Sequence, residues 1–554
     1  MSRLDGERTP SRPSLVITRA PRLVRVRRLA ALPERSREDD DRVSAQEHAE
    51  GSVAGNDRIV AVLDAFVTRP IGDGWGVREL ADSVAASRST VNRILQGLVD
   101  RGLARVDANA TYSVGPRLRV LAKVLHDRHP LLRGALPVMD ELSRTADATV
   151  MLAVHGPRPD AAFIALLRQQ PGPIRYHLEP GMELPLHAGA AGRAILSEVG
   201  VDVLRTALTR YSEDTVVDPA QLDPDLRAAR EAGYVISVGQ HIPLAAGVAA
   251  PLRFGPDLVA AVSATRLRHS TTDADLERLG PIARKAADDI ADAARPATWT
   301  ERPARPSGAD STALGRVQRL LEILVAEPSG APTGIELARR LGANEATAAR
   351  LRATALASGL AVPTAGRRMA AGPLLLRWAA RIGPDWNIAD LAGDALQALA
   401  HASGETVGLA VFDPETVTAT LVAEAGGARP VEYSLGVGSP IPLHAGAAGK
   451  AILAHCPSEV VRGQVLQPLT PRSPTSLEQL ERDLRQIRET GWAQAEGERI
   501  PDAFGLAAPF FADEAVAGSL TFTIPRFRAD EVDMPQLATM LTQAARQITA
   551  LLSV

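Results

Sequence analysis

Apolar positions change period along this chain, and the changes mark out elements. Ile59, Val60, Leu63 and Phe66 recur at helical spacing, and after a glycine-rich turn (Gly72, Gly74, Gly76) residues 77–85 predict a short second helix. A third helix is predicted over 87–99, where Val91, Ile94, Leu95 and Leu98 form one apolar stripe. Residues 102–114 then read as two short strands around a turn. Farther on, 149–154 and 161–167 read as hairpin strands, and 249–252 and 259–265 as later strands. Helical segments lie between them, so an antiparallel sheet flanked by helices is expected over residues 130–295.

The whole pattern occurs twice. PLHAGAAGRA at 185–194 returns as PLHAGAAGKA at 442–451, with His187 and His444 257 positions apart. Upstream, Thr90 matches Thr347 and Gly115-Pro116 matches Gly372-Pro373 at that same offset. Downstream the offset is 258: Gly233-Tyr234 matches Gly491-Trp492, and GVAAP at 247–251 matches GLAAP at 505–509. Register held over this length marks a tandem duplication. The predicted layout is a tail over 1–55, a winged helix-turn-helix over 56–116, an α/β segment over 117–295 and a proline-rich linker over 296–310. A second winged helix-turn-helix follows over 311–373 and a second α/β segment over 374–554.

The third helix of the first unit leaves Arg88, Ser89, Thr90, Asn92 and Arg93 on the polar face at its start. A helix that enters the major groove reads base edges with its first residues. Arg pairs with guanine and Asn with adenine, while hydroxyls hold phosphates. Double-stranded DNA is therefore the expected partner; the alternative is a winged helix used for protein contacts. In the second unit Ser89 is replaced by Ala346 and Asn92 by Ala349. Thr347 and Arg350 remain, joined by Arg352 and by Arg367 and Arg368 in the wing. Residues 57–113 carry seven Arg and seven acids, 311–372 eight Arg and four acids. The second copy is expected to contribute phosphate contacts and the first more base readout.

The PLHAGAAG segments carry the best ligand argument. Small residues opening a helix expose backbone N–H groups to an anion, and a carboxylate metabolite would fit there. Ser263 and Thr265 share one sheet face, as do Thr521 and Thr523 in the second unit. The competing reading is that the small residues serve close helix–sheet packing. His187 and His444 have no recurring serine or cysteine nucleophile beside them, and no cluster at metal spacing recurs. They are read as structural, and neither an enzyme nor a cofactor is expected.

Composition narrows the class. At 554 residues the chain exceeds a single core. Its net charge of -3 requires any DNA-binding face to be local. The lone Cys456 permits no internal disulfide and fits a reducing cytoplasm. No apolar run is long enough for a transmembrane helix, so no membrane partner is expected. Residues 1–30 hold eight Arg and only Asp5 and Glu7. They read as a basic disordered tail or, alternatively, an arm touching phosphates. Arg27-Arg28 lacks the apolar segment a twin-arginine signal needs.

Together, the STVNR helix, the PLHAGAAG[RK]A segment and the G[YW]…G[VL]AAP pair at this spacing resemble the IclR family of bacterial regulators, across both units. The resemblance implies an α+β chain, with two winged helix-turn-helix domains alternating with two GAF-like or profilin-like effector domains. It implies a transcriptional regulator or repressor whose operator affinity responds to a small organic or aromatic acid. Family members usually carry one unit and dimerise, so a homo-oligomer or an intrachain pseudo-dimer is implied. Effector contacts carried over by motif are Ala190, Ala191, Ser237, Ser263 and Thr265, and Ala447, Ala448, Glu498, Thr521 and Thr523. The family often has an acidic residue where this chain has Glu498 in unit two but Gln240 in unit one. The alternative function is a ligand-sensing scaffold in which at least one winged helix no longer binds DNA.

Overall fold

A computed structural model describes residues 55–69, 73–170, 176–205, 207–255, 257–295, 311–383, 387–427, 429 and 433–553. The expected tail (apart from Gly55) and linker lie outside the described residues.

Each unit opens with three helices and a two-stranded wing. In the first these are residues 55–68, Val77–Ser83 and Arg88–Asp100, with wing strands Ala104–Val106 and Tyr112–Val114. In the second they are Ala313–Ala326, Gly334–Leu341 and Glu345–Ser358, with Ala361–Thr364 and Arg368–Ala371. The third helices start where polar side chains cap them: Ser87 Oγ accepts from Thr90 N–H (3.2 Å), and Asn344 Oδ1 from Thr347 N–H (2.9 Å). A helix with proline in its first turn follows each wing, Pro116–Arg128 and Pro373–Ile382. These two connecting helices pack on one another.

Each sensor half is a six-stranded antiparallel sheet. Edge to edge, the first runs Glu183–Pro185, Ala161–Arg168, Thr149–His155, Leu258–Leu267, Ala245–Phe254, Val235–Val238, and the second has the same order. Alternation of side chains along each strand gives the sheet two covered faces. In the second half Leu520, Phe522 and Ile524 pack beneath the terminal helix Met534–Leu552, while Ala507 and Val516 join the core around Ala447–Leu453. The short strands Glu183–Pro185 and Val235–Val238 carry too few residues to announce a period of two, and periodicity did not predict them.

The two units share a core. One apolar cluster runs from Leu63 and Leu95 through Leu121 and Leu125 to Leu320, Leu324 and Trp378. Polar contacts stitch this seam reciprocally. Trp378 Nε1–H, on the second connecting helix, donates to Asp64 Oδ1 on the first helix of unit one (2.8 Å). Arg117, on the first connecting helix, reaches Glu322 on the first helix of unit two (2.7 Å), with both side chains buried. Its Nη1 donates to the carbonyls of Ala550, Leu551 and Ser553 at 3.1, 2.8 and 2.7 Å. One guanidinium thus holds the first connecting helix, the second winged module and the end of the last helix. Glu322 also accepts from Gln318 Nε2 (2.9 Å).

His129 joins the first winged module to its α/β half. It lies between the helices Pro116–Arg128 and Pro130–Ala146, with its ring 5.4 Å from that of Phe254. The ring is fully buried and neither nitrogen has a hydrogen-bond partner among the described residues. Burial lowers its pKa from 6.5 to about 3.

Two predictions follow from this seam. Removing one member of a buried ion pair strands the other, so Glu322→Ala should cost about 3–5 kcal/mol in urea unfolding. The double variant Arg117→Leu/Glu322→Leu should recover part of that loss; strictly additive losses would show that the pair is not coupled. At His129 the unfolded chain binds a proton near pH 6.5 that the folded chain takes up only near pH 3. Stability from this group is therefore complete above pH 6.5 and declines as pH falls toward 3. His129→Leu should flatten the fall in melting temperature between pH 7 and pH 5, and an unchanged pH profile would contradict it.

Candidate nucleic-acid interface and ligand pockets

The helix Arg88–Asp100 buries Val91, Ile94, Leu95 and Leu98, as the apolar stripe requires. Its opposite face is open: Arg88, Ser89, Asn92 and Arg93 are exposed and Thr90 half-buried. Ser87 Oγ donates to Thr90 Oγ1 (2.9 Å) and lies 3.1 Å from Ser89 Oγ, so the hydroxyls are organised around the helix start. Arg88, Asn92 and Arg93 make no side-chain bond among the described residues. Gln96, one turn on, donates to Tyr112 Oη (3.0 Å) and ties the helix to its wing. The wing turn is held by Asp107 Oδ1, which accepts from Asn109 N–H and Thr111 N–H (2.9 and 2.8 Å).

The second face differs in kind. Arg350 is exposed, and its Nη2 donates to Thr347 Oγ1 (3.3 Å). Arg367 is exposed in the wing turn at a φ of 59°. Arg368, though exposed, is braced: it pairs with Glu327 (3.4 Å) and donates to Gly330 O. Arg352 does not join this face. It stands at the register position of Leu95, half-buried, with Nε enclosed and without a partner. Helical periodicity, which puts Leu95 in the first stripe, puts Arg352 in the second; counting it with the polar face overlooked that phase.

In the sensor halves, strand register assembles the predicted residues. Ser237 lies opposite Gly247, Gly247 opposite Thr265, and Thr265 opposite Thr149, in one row across four strands. Ser263 occupies the next row, opposite Ala249 and Met151. Unit two repeats the rows as Ala495, Gly505, Thr523 and Thr406, with Thr521 between Ala507 and Gly408. The helices Ala190–Val199 and Ala447–Leu453 begin beside these rows, with Ala190, Ala191, Ala447 and Ala448 in their buried first turns. A cavity of about 50 Å³ in unit two is lined by Ala447, Ala448, Glu498, Arg499, Thr521 and Thr523, among others.

The small residues serve close packing at some positions and a change of chain direction at others. A Cβ on Gly192 or Gly449 would lie 2.0 or 1.9 Å from the carbonyl of Pro185 or Pro442, so those glycines serve close packing. Gly189 and Gly446 take φ of 82° and 83° to turn the chain into the helix. The expected anion position, however, is already filled in unit two. Gly446 N–H donates to Glu498 Oε2 (3.0 Å), and Glu498 Oε1 accepts from Lys450 Nζ (2.6 Å). Lys450 also pairs with Asp483 (2.9 Å). Glu498 therefore caps the helix start, and the Gly446 N–H that an acid would need is already donated to it. In unit one Arg193 takes the place of Lys450, pairing with Asp225 (2.7 Å) and donating to Gln240 Oε1 (3.1 Å). Ser237 Oγ donates to the same oxygen (3.0 Å).

The hydroxyls divide likewise. Thr521 Oγ1 donates to Leu506 O (2.9 Å), whereas Ser263 Oγ is buried and has no partner among the described residues. His187 and His444 are buried, and Nε2–H of each donates to a loop carbonyl, Thr209 O (2.9 Å) and Gln467 O (2.8 Å). A carbonyl only accepts, so these nitrogens carry the proton and the rings pin the loops. Burial raises the Cys456 thiol to about 11, far from a thiolate nucleophile. The sequence reading passed over Arg193, Lys450 and Arg499. A cation on a small-residue helix in both copies was the available signal for the first two.

Comparison with known proteins agrees with this architecture. The chain matches the family described as bacterial transcriptional regulator IclR C-terminal over residues 123–292 and again over 384–550, and the IclR helix-turn-helix domain over 57–108. It is 27% identical over 198 residues to the HTH-type transcriptional regulator KipR of Bacillus subtilis, covering 35% of this chain and 77% of that protein. It is 28% identical over 263 residues to the transcriptional repressor IclR of Escherichia coli, covering 45% of this chain and 95% of that one. An IclR regulator structure from Alicyclobacillus acidocaldarius aligns with a TM-score of 0.39 at 23% identity, over 44% of this chain and 98% of its own. These relatives are transcriptional regulators, not enzymes. Among the described residues no helix is long and apolar enough to cross a membrane. An IclR C-terminal domain present twice, with a helix-turn-helix of the same family before the first copy, makes this chain a member of the IclR family of bacterial transcriptional regulators.

Proposed function

We propose that this chain is a sequence-specific operator-binding regulator in which a single polypeptide supplies two unlike reading heads, and whose DNA affinity responds to a small organic or aromatic acid. The observation that carries the reading is the free set Arg88, Asn92 and Arg93 at the start of a helix whose other face is buried under its wing. Unpartnered donors on a rigid helix suit base edges, since no internal bond must break before they bind. The second head offers Thr347, Arg350 and Arg367 but alanines at 346 and 349. That set suits phosphates more than bases. Reciprocal contacts across the seam support an intrachain pseudo-dimer, the arrangement a two-fold operator requires. Ser237, Ser263, Thr265, Thr521 and Thr523, with Ala190, Ala191, Ala447 and Ala448 opposite them, frame the effector sites. In this reading the protein acts in the bacterial cytoplasm.

Footprinting on the DNA upstream of the chain's own gene tests this. Protection of two unequal half-sites about one helical turn apart is expected. No protected site at low salt, with or without candidate acids, would overturn the reading. Asn92→Ala should cost about 1–3 kcal/mol of discrimination at one base position. Arg350→Ala should weaken binding to all sequences alike and reduce the slope of log affinity against log salt by about one. Equal loss of selectivity from both variants would contradict the division of labour.

A further inference from the structure

In unit two the usual sources of positive charge for an anion are spent inside the protein. Gly446 N–H is taken by Glu498, and Lys450 is shared between Glu498 and Asp483. A different cation lines the cavity. Arg499 stands over the glycine that opens the helix; a Cβ built on Gly446 would lie 3.2 Å from Arg499 Cβ. Its guanidinium is half-buried and has no carboxylate or hydrogen-bond partner among the described residues. A guanidinium that has lost water without gaining a partner is poised to gain from an anion. Burial also holds its pKa below the ordinary arginine value.

We propose that the cavity of the second sensor domain takes a small monocarboxylate through the guanidinium of Arg499, and that this residue selects the charge of the effector. The inference rests on the effector-binding reading above and makes it specific. Leu421, Leu435, Ile441 and Ile500 form apolar walls for the body of the acid, and the hydroxyl of Thr523 lies on the sheet floor. One unpartnered cation answers one carboxylate. A second carboxylate would have to approach Glu498, which lines the same cavity, so dicarboxylates are disfavoured.

The first sensor domain lacks this device. Its counterpart to Arg499 is His241, which packs against Gly189 in the same way. Its ring sits edge-on to Tyr211 at 4.9 Å, and Tyr211 in turn contacts His187. Burial, and then the neighbouring His187, lower the His241 pKa, so the ring is neutral at pH 7.5. Among the described residues the first domain therefore offers no guanidinium at the position that Arg499 holds in the second.

Calorimetric titration of the full chain at pH 7.5 with pyruvate and benzoate, and with the neutral pyruvamide and benzamide, tests the inference. At least one acid should bind saturably with one site per chain. Arg499→Gln should weaken it tenfold or more, Arg499→Lys less, and His241→Ala should leave it unchanged. Circular dichroism and the melting temperature report whether the variants fold. Undiminished binding of the acid to folded Arg499→Gln overturns the inference and leaves the effector reading standing, as does binding of an amide in preference to its acid. Binding of none of the four to the wild-type chain overturns both.

Discussion

A single buried guanidinium sets the geometry on which the rest of this protein depends. Arg117 meets Glu322 and three carbonyls at the end of the final helix, so four acceptors from two distant stretches of chain converge on one side chain. Burying a charge is expensive unless it is paired and hydrogen-bonded, and here all three guanidinium nitrogens find an acceptor. The cost of a misaligned register is what gives the interaction its specificity. Duplicated units could pair in several ways; this pair is satisfied in one. Trp378 and Asp64 add the reciprocal contact, and the apolar cluster between the connecting helices supplies the burial.

From that seam the functional consequences run outward. In the proposed function, two winged helices joined through their own connecting helices face paired half-sites without a second chain. Freed from the identity that a homodimer imposes, the copies can diverge, and they have done so at the surface. The first reading helix keeps free donors, whereas the second has alanines and a wing arginine braced by Glu327. The sensor halves follow the same course. Arg193 with Gln240 and Lys450 with Glu498 occupy equivalent places, but only the second closes its helix start with an internal carboxylate. His129 sits at the junction of the first connecting helix with the helix that follows it, its ring packed near Phe254.

Much of the fold was legible in the chain because duplication doubles every signal. The apolar stripe of residues 91–98, the strands around 149–154 and 259–265, and the helix beginning after Gly189 all follow from periodicity and small-residue placement. The candidate pocket was legible in part. Alternation places Ser263 and Thr265 on one face, but only register across strands reveals that Ser237, Gly247 and Thr265 form a row. What stayed hidden are contacts between residues far apart in sequence. The capture of Gly446 N–H by Glu498 reverses the expected use of the helix start, and it depends on a loop approach that spacing does not encode. Arg352 was misplaced for a simpler reason: charge drew it to the surface set, while its position in the helical turn puts it on the packed side.

The central claim is that one chain carries a complete, asymmetric reading unit. The most direct measurement is the mass of the complex formed on a short duplex bearing one footprinted site, by sedimentation velocity across a range of chain concentrations. The account predicts one chain on the duplex, protecting both half-sites, with occupancy rising hyperbolically. Protection that appears only when two chains are bound, with a sigmoidal rise, would contradict it.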